Sequence, residues 1–168
     1  SLSPIIHELI FKYTSLCGEY KLYPMEPEYI EIFVSGLFDD SFAGLNVTIP
    51  YKSDVMPYLS SISDEAKKIG SVNTILPSKT ELSGFNTDYV CIEYMLKKAD
   101  ITADGKTALV LGSGGSARTV VEFLKNQNLC NITLASRDVR LAALKFSDIE
   151  IVSYNEIIEN HGYDLLIN

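Results

Sequence analysis

The stretch TALVLGSGGSARTVVEFLK, residues 107–125, decides how the chain is read. Thr107 to Leu111 form a short, continuously apolar run, the pattern of a strand buried on both faces. Gly112, Ser113, Gly114, Gly115, Ser116 and Ala117 follow directly in a G-x-G-x-x-A spacing, and a helical pattern begins there. Each small residue has a task in a dinucleotide loop. Gly112 permits the tight turn, Gly114 lets the backbone approach a pyrophosphate, and Ala117 allows close helix–strand contact. The helix start then offers N–H groups to the phosphates. A glycine turn alone says little, but one set between a strand and a helix has the context that a phosphate loop needs.

Toward the C-terminus the pattern alternates strictly: NITLAS, VRLAALKF, IEIVSY, NEIIENH, YDLLIN. Short apolar strands alternating with helices predict a doubly wound parallel sheet of Rossmann type. The second strand ends at Ser136-Arg137-Asp138-Val139-Arg140, where a bound adenosine ribose would lie. Arginine there accepts the 2'-phosphate of NADP and an acidic residue binds the 2'-hydroxyl of NAD. Arg137 comes first and favours NADP; Asp138 keeps NAD open. Asp138 also suits a plain helix start.

Toward the N-terminus, the polar segment 99–106 separates two styles of sequence, and the domain boundary is placed near Asp100. Residues 1–99 form one αβ domain and 100–168 a nucleotide-binding domain. In the first, Ser3 and Pro4 open a helix. A strand is expected around Tyr20 to Tyr23, a helix from Pro27, a strand through Ala43 to Thr48 and a helix over Asp64 to Ile69. SVNTILP and LSGFNT are two further strands, and Asp88 caps the next helix. Polar residues gather at element ends: Ser1 and Ser3, Asn46, Thr48 and Lys52, Asn73 and Thr74, and Asn86, Thr87 and Asp88. Singly they read as caps, strand residues and a surface lysine. Together they suit a crevice for a small polyhydroxylated acid.

The bulk numbers agree with such a protein. The 168 residues are 46% hydrophobic and 21% charged, ordinary for a soluble domain pair. A net charge of -8 argues against nucleic-acid binding and leaves anion capture to local donors. Cys17, Cys91 and Cys130 form no metal motif or disulfide framework, which suggests a cytoplasmic setting. No membrane span or signal peptide is expected.

The series SLSP, GLNVTIPYK, IGSVNTI, GFNTD and VLGSGGSAR resembles the shikimate dehydrogenase family, in the same order and along essentially the whole chain. The resemblance implies reversible NADPH-linked reduction of 3-dehydroshikimate to shikimate, in aromatic amino-acid (chorismate) biosynthesis, by a monomer or homodimer. It implies that Ser1 and Ser3 hold the substrate carboxylate, and that Thr48, Asn73 and Asp88 bind the ring oxygens. Lys52 is the implied catalytic lysine, with Asp88 as its partner. Gly112 to Ser116 are the implied phosphate loop, Ser136 to Leu141 the 2'-phosphate segment, and Asp64 a cofactor contact.

The chain also departs from the family pattern. The strand that usually precedes S-x-S is absent, and the usual continuation beyond DLLIN is not in this sequence. A polypeptide of just these residues is expected to bind cofactor weakly. Ser136-Arg137-Asp138 replaces the usual Asn-Arg-Thr, Leu141 stands where a further arginine is common, and Cys91 takes the place of a glycine, to crowd substrate or fill core. Two rivals follow: an NAD-dependent quinate/shikimate dehydrogenase, and a non-catalytic dinucleotide-sensing homologue. Retention of both Lys52 and Asp88 weighs against the sensor.

Overall fold

The computed structural model describes residues 2–38, 42–128, 131–157 and 162–168. Ser1 and Cys130 lie outside the described residues. The chain divides into two units, Ser1–Ile30 and Glu31–Asn168.

The first unit is built on helix α1, Ser3–Thr14. Pro4 sits in its first turn, where its missing N–H costs nothing. The N-cap is Leu2, so Ser3 is the first helical residue and not the cap. Ser15 ends the helix in the left-handed conformation, and the following segment folds back along it. His7 stacks on Tyr20 at 4.1 Å between ring centroids. Gly18 lies so close to Phe11 that a Cβ there would sit 2.7 Å from the ring. Tyr20 to Tyr23 belong to no strand, contrary to the reading from sequence. Tyr20 stacks on α1 and takes no part in a ladder.

A 3-10 turn at Pro27–Tyr29 runs into helix α2, Ile30–Ser35, all but the first residue of which belongs to the second unit. Its first sheet contains β1 (Leu45–Asn46), β2 (Ser61–Ile62), β3 (Thr74–Pro77) and β4 (Leu82–Phe85), in the order β1-β3-β4-β2. β3 and β4 make an antiparallel hairpin with Thr74 opposite Phe85 and Pro77 opposite Leu82. Ser78 closes the turn: its N–H donates to Glu81 O, and its hydroxyl accepts from Glu81 N–H at 3.0 Å. β2 runs parallel to β4. The strand expected through Thr48 stops after two residues because Val47 donates once more to Asn73, and then the chain turns at Thr48–Tyr51. Helix α3, Asp64–Ile69, is capped by Ser63, whose hydroxyl accepts from Ala66 N–H. Leu37, Val72, Ile75 and Leu82 are among the buried apolar residues of this region.

The second sheet contains β5 (Thr107–Leu111), β6 (Asn131–Ala135), β7 (Glu150–Val152) and β8 (Leu165–Ile167). All pairs are parallel and the order is β7-β6-β5-β8. The chain therefore winds outward from β5 through β7 and returns to the other side of β5. This puts the switch in winding direction at the end of β5, where open α/β sheets bind ligands. Helix α5, Gly115–Lys125, covers the sheet with Val120, Val121, Phe123 and Leu124 buried. Helix α4, Asp88–Lys98, packs Tyr89, Ile92 and Leu96 on the same core. Tyr89 meets Phe123 edge to face at 5.3 Å. The predicted boundary near Asp100 falls between α4 and β5, inside the second unit. Helices α6 (Val139–Lys145) and α7 (Tyr154–Ile157) complete the alternation. No described helix is long and apolar enough to cross a membrane.

Candidate active site

Lys52 lies just beyond the Thr48–Tyr51 turn, and its carbonyl accepts from Val72 N–H at 2.7 Å. This bond fixes the lysine backbone against the segment entering β3. The side chain then runs inward, its Cδ 3.8 Å from where a Cβ on Gly115 would be. Its Nζ donates to Asp88 Oδ2 at 2.8 Å. The lysine side chain is only 14% exposed and the aspartate 38%. An ammonium this shielded, with one carboxylate partner, keeps further N–H donors for another acceptor. Asp88 opens α4, where the helix dipole favours its negative charge. The cap residue is Thr87, so the expected capping role of Asp88 is corrected to a first-turn position.

Asn73 and Asn86 stand beside this pair through their bonds to the start of α4. Asn73, buried, accepts from Thr87 N–H at 2.9 Å and from the Thr74 hydroxyl at 3.0 Å. Its Nδ2 lies 3.1 Å from the Thr87 hydroxyl. Asn86, also buried, accepts from Asp88 N–H at 3.1 Å. Thr48 is exposed on its turn. Ser3 belongs to the first unit. Asp64 is exposed at the start of α3 and pairs with Lys67 at 3.7 Å; no hydrogen bond links it to the other candidates.

The phosphate loop follows the sequence reading closely. Gly112 has φ +96°, a conformation that a side chain would strain. A Cβ on Gly112 or Gly114 would meet nothing within 4 Å, so the outer face of the loop is open to an approaching group. No side chain caps α5, so its first N–H groups point out of the helix with no side-chain acceptor. Ser113 and Ser136 share a hydrogen bond of 3.1 Å, tying the loop to the end of β6. At that end the Asp138 carboxylate caps α6 by accepting from Leu141 N–H at 2.9 Å. Arg137 and Arg140 are exposed, with no hydrogen bond or ion pair to the described residues.

Comparison with known proteins gives this geometry a context. The family model for the shikimate dehydrogenase substrate binding domain matches residues 1–75. A shikimate dehydrogenase (NADP(+)) of Clostridium beijerinckii is 44% identical over the whole chain, which covers 62% of that relative. The chain is similar to shikimate dehydrogenases along its whole length. Among solved structures, a chorismate mutase/shikimate 5-dehydrogenase fusion protein from Clostridium acetobutylicum superposes with a TM-score of 0.93 at 38% identity. It is matched over 100% of this chain and 62% of its own. Shikimate 5-dehydrogenase from Thermus thermophilus, solved in complex with NADP(H) and shikimate, gives a TM-score of 0.82 at 31% identity, over 99% of this chain and 62% of its own. The chain thus spans less than two thirds of the shikimate dehydrogenases it matches.

The shikimate dehydrogenase match at residues 1–75 contains Ser1, Ser3, Thr48, Lys52 and Asn73, while Asp88 and the glycine loop lie beyond it. Cys91, the departure from the family pattern, is exposed on α4 and so fills no core. The sequence reading gave no task to Ser71 or Thr119. Ser71 is fully buried, and its hydroxyl has no hydrogen-bond partner among the described residues. Thr119, also buried, bonds Asn86. Their roles rest on contacts between segments far apart in the chain, which spacing alone does not announce.

Proposed function

We propose that the protein is a cytoplasmic NADP-linked shikimate dehydrogenase, interconverting 3-dehydroshikimate and shikimate in chorismate biosynthesis. The observation that carries this reading is the shielded Lys52–Asp88 pair set against the start of α5. Lys52 has an ammonium proton to give to the oxygen that gains charge when the ring carbonyl is reduced, and in the reverse direction it receives one. Asp88 orients the ammonium and accepts from a ring hydroxyl. Thr48 supplies a free hydroxyl and Asn73 an amide to the other ring oxygens; Ser1 and Ser3 are proposed for the carboxylate.

The nicotinamide cofactor, when bound, supplies the hydride. The residues present suit it: an open glycine turn, an uncapped eleven-residue helix and two exposed arginines. Asp64 remains a proposed cofactor contact. The occupation of Asp138 as the α6 cap supports NADP over NAD, because its carboxylate is already engaged while Arg137 and Arg140 are available for a 2'-phosphate.

Initial rates with shikimate and quinate, each with NADP and NAD, test the proposal on the protein that carries this chain. Fastest turnover is expected with shikimate and NADP. Preference for quinate with NAD would replace this reading with the quinate enzyme, and cofactor binding without turnover would favour a sensor.

A further inference from the structure

Asn86 spends both amide protons and one oxygen lone pair on three separate segments. Its Nδ2 donates to Ser71 O at 2.9 Å and to Thr119 Oγ1 at 3.3 Å. Its Oδ1 accepts from Asp88 N–H at 3.1 Å. The orientation of the amide is forced, since Ser71 O requires a donor and Asp88 N–H an acceptor. Both members of the proposed catalytic pair are referred to this one side chain. Asp88 is bonded to it through its own N–H. Lys52 is held through Val72, the residue next to Ser71. Thr119 stands one turn into α5, beyond the glycine loop, and is 1% exposed. A buried amide that merely filled space would not need partners on the Lys52 support, the Asp88 helix and the phosphate-loop helix at once.

We propose that Asn86 and Thr119 are positioning residues that lock the Lys52–Asp88 pair to the start of α5. This rests on the function proposed above, but the geometry they maintain can be read without turnover. Thr119→Val keeps shape and burial while removing the hydroxyl that receives Asn86. Two measurements are made on it: kcat and KM with shikimate and NADP, and the rate at which an amine-acylating reagent modifies Lys52, followed by mass spectrometry with exposed Lys145 as reference. A loosened Asp88 frees the Lys52 amine, so acylation should rise severalfold. Displacement of the pair should lower kcat by about tenfold with KM within about twofold. Thr119→Ser, which restores the hydroxyl, should return both readings toward wild type, and Thr119→Ala serves if the valine variant does not fold. The proposal is overturned if Thr119→Val lowers only the melting temperature, with Lys52 acylation unchanged. If wild-type protein shows no turnover, the functional reading fails, and the acylation rates still decide the positioning role.

Discussion

At the scale of single residues, a site emerges from partners and not from residue types. Lys52 and Asp88 were visible in the sequence because they sit in motifs at element ends, but their 2.8 Å bond spans 36 positions. Asp138 shows the opposite case. Its sequence position allowed a ribose contact or a cap, and the structure engages it with Leu141 N–H. Asp138→Ala should therefore cost about 1 kcal/mol of stability, as loss of a cap does, measured by urea unfolding. The same variant should retain its preference for NADP. A switch in cofactor preference without loss of stability would mean that the carboxylate serves the ribose. The part played by Asn86 was not legible, since its three bonds reach positions 71, 88 and 119 and only the tertiary fold brings those together.

Among elements, hydrophobic rhythm predicted the second sheet almost strand for strand, because buried parallel strands are continuous apolar runs. The first sheet was harder. β1 and β2 have two residues each, too few to carry a period, and β2 is defined only by its partner β4. The edge strand β8 depends on a polar clasp. The Asp164 carboxylate accepts from Thr107 N–H at 2.9 Å and from the Thr107 hydroxyl at 3.0 Å. These backbone and side-chain bonds, in that order, with a smaller part from the nearby Lys106, hold the Asp164 carboxyl below its ordinary value of 3.8. A carboxyl lowered by folding contributes stability that is complete above 3.8 and disappears as pH falls through the lower folded value. Asp164→Asn should thus be less stable than wild type near neutral pH, with the gap closing well below pH 3.8. Urea midpoints across that range check it; a gap independent of pH would assign the clasp to shape and not charge.

For the whole molecule, residues 31–168 hold both sheets, and elements from the two regions of sequence pack on each other. α4 carries Asp88 at its start yet packs Tyr89, Ile92 and Leu96 on the second sheet. Arg118 of α5 reaches back to Gly70 O at 3.4 Å. The glycine loop and the lysine pair are thus held by one continuous body of packing. With a net charge of -8, anion binding relies on the helix start and nearby arginines and not on the field of the whole chain. The central claim is that Lys52 moves the proton while the rest of the site holds the substrate. Steady-state kinetics of Lys52→Ala, beside direct measurement of shikimate affinity, test it most directly. The account predicts a fall in kcat of roughly a hundredfold or more with little change in shikimate Kd. A variant that keeps wild-type kcat while its shikimate Kd rises would contradict it.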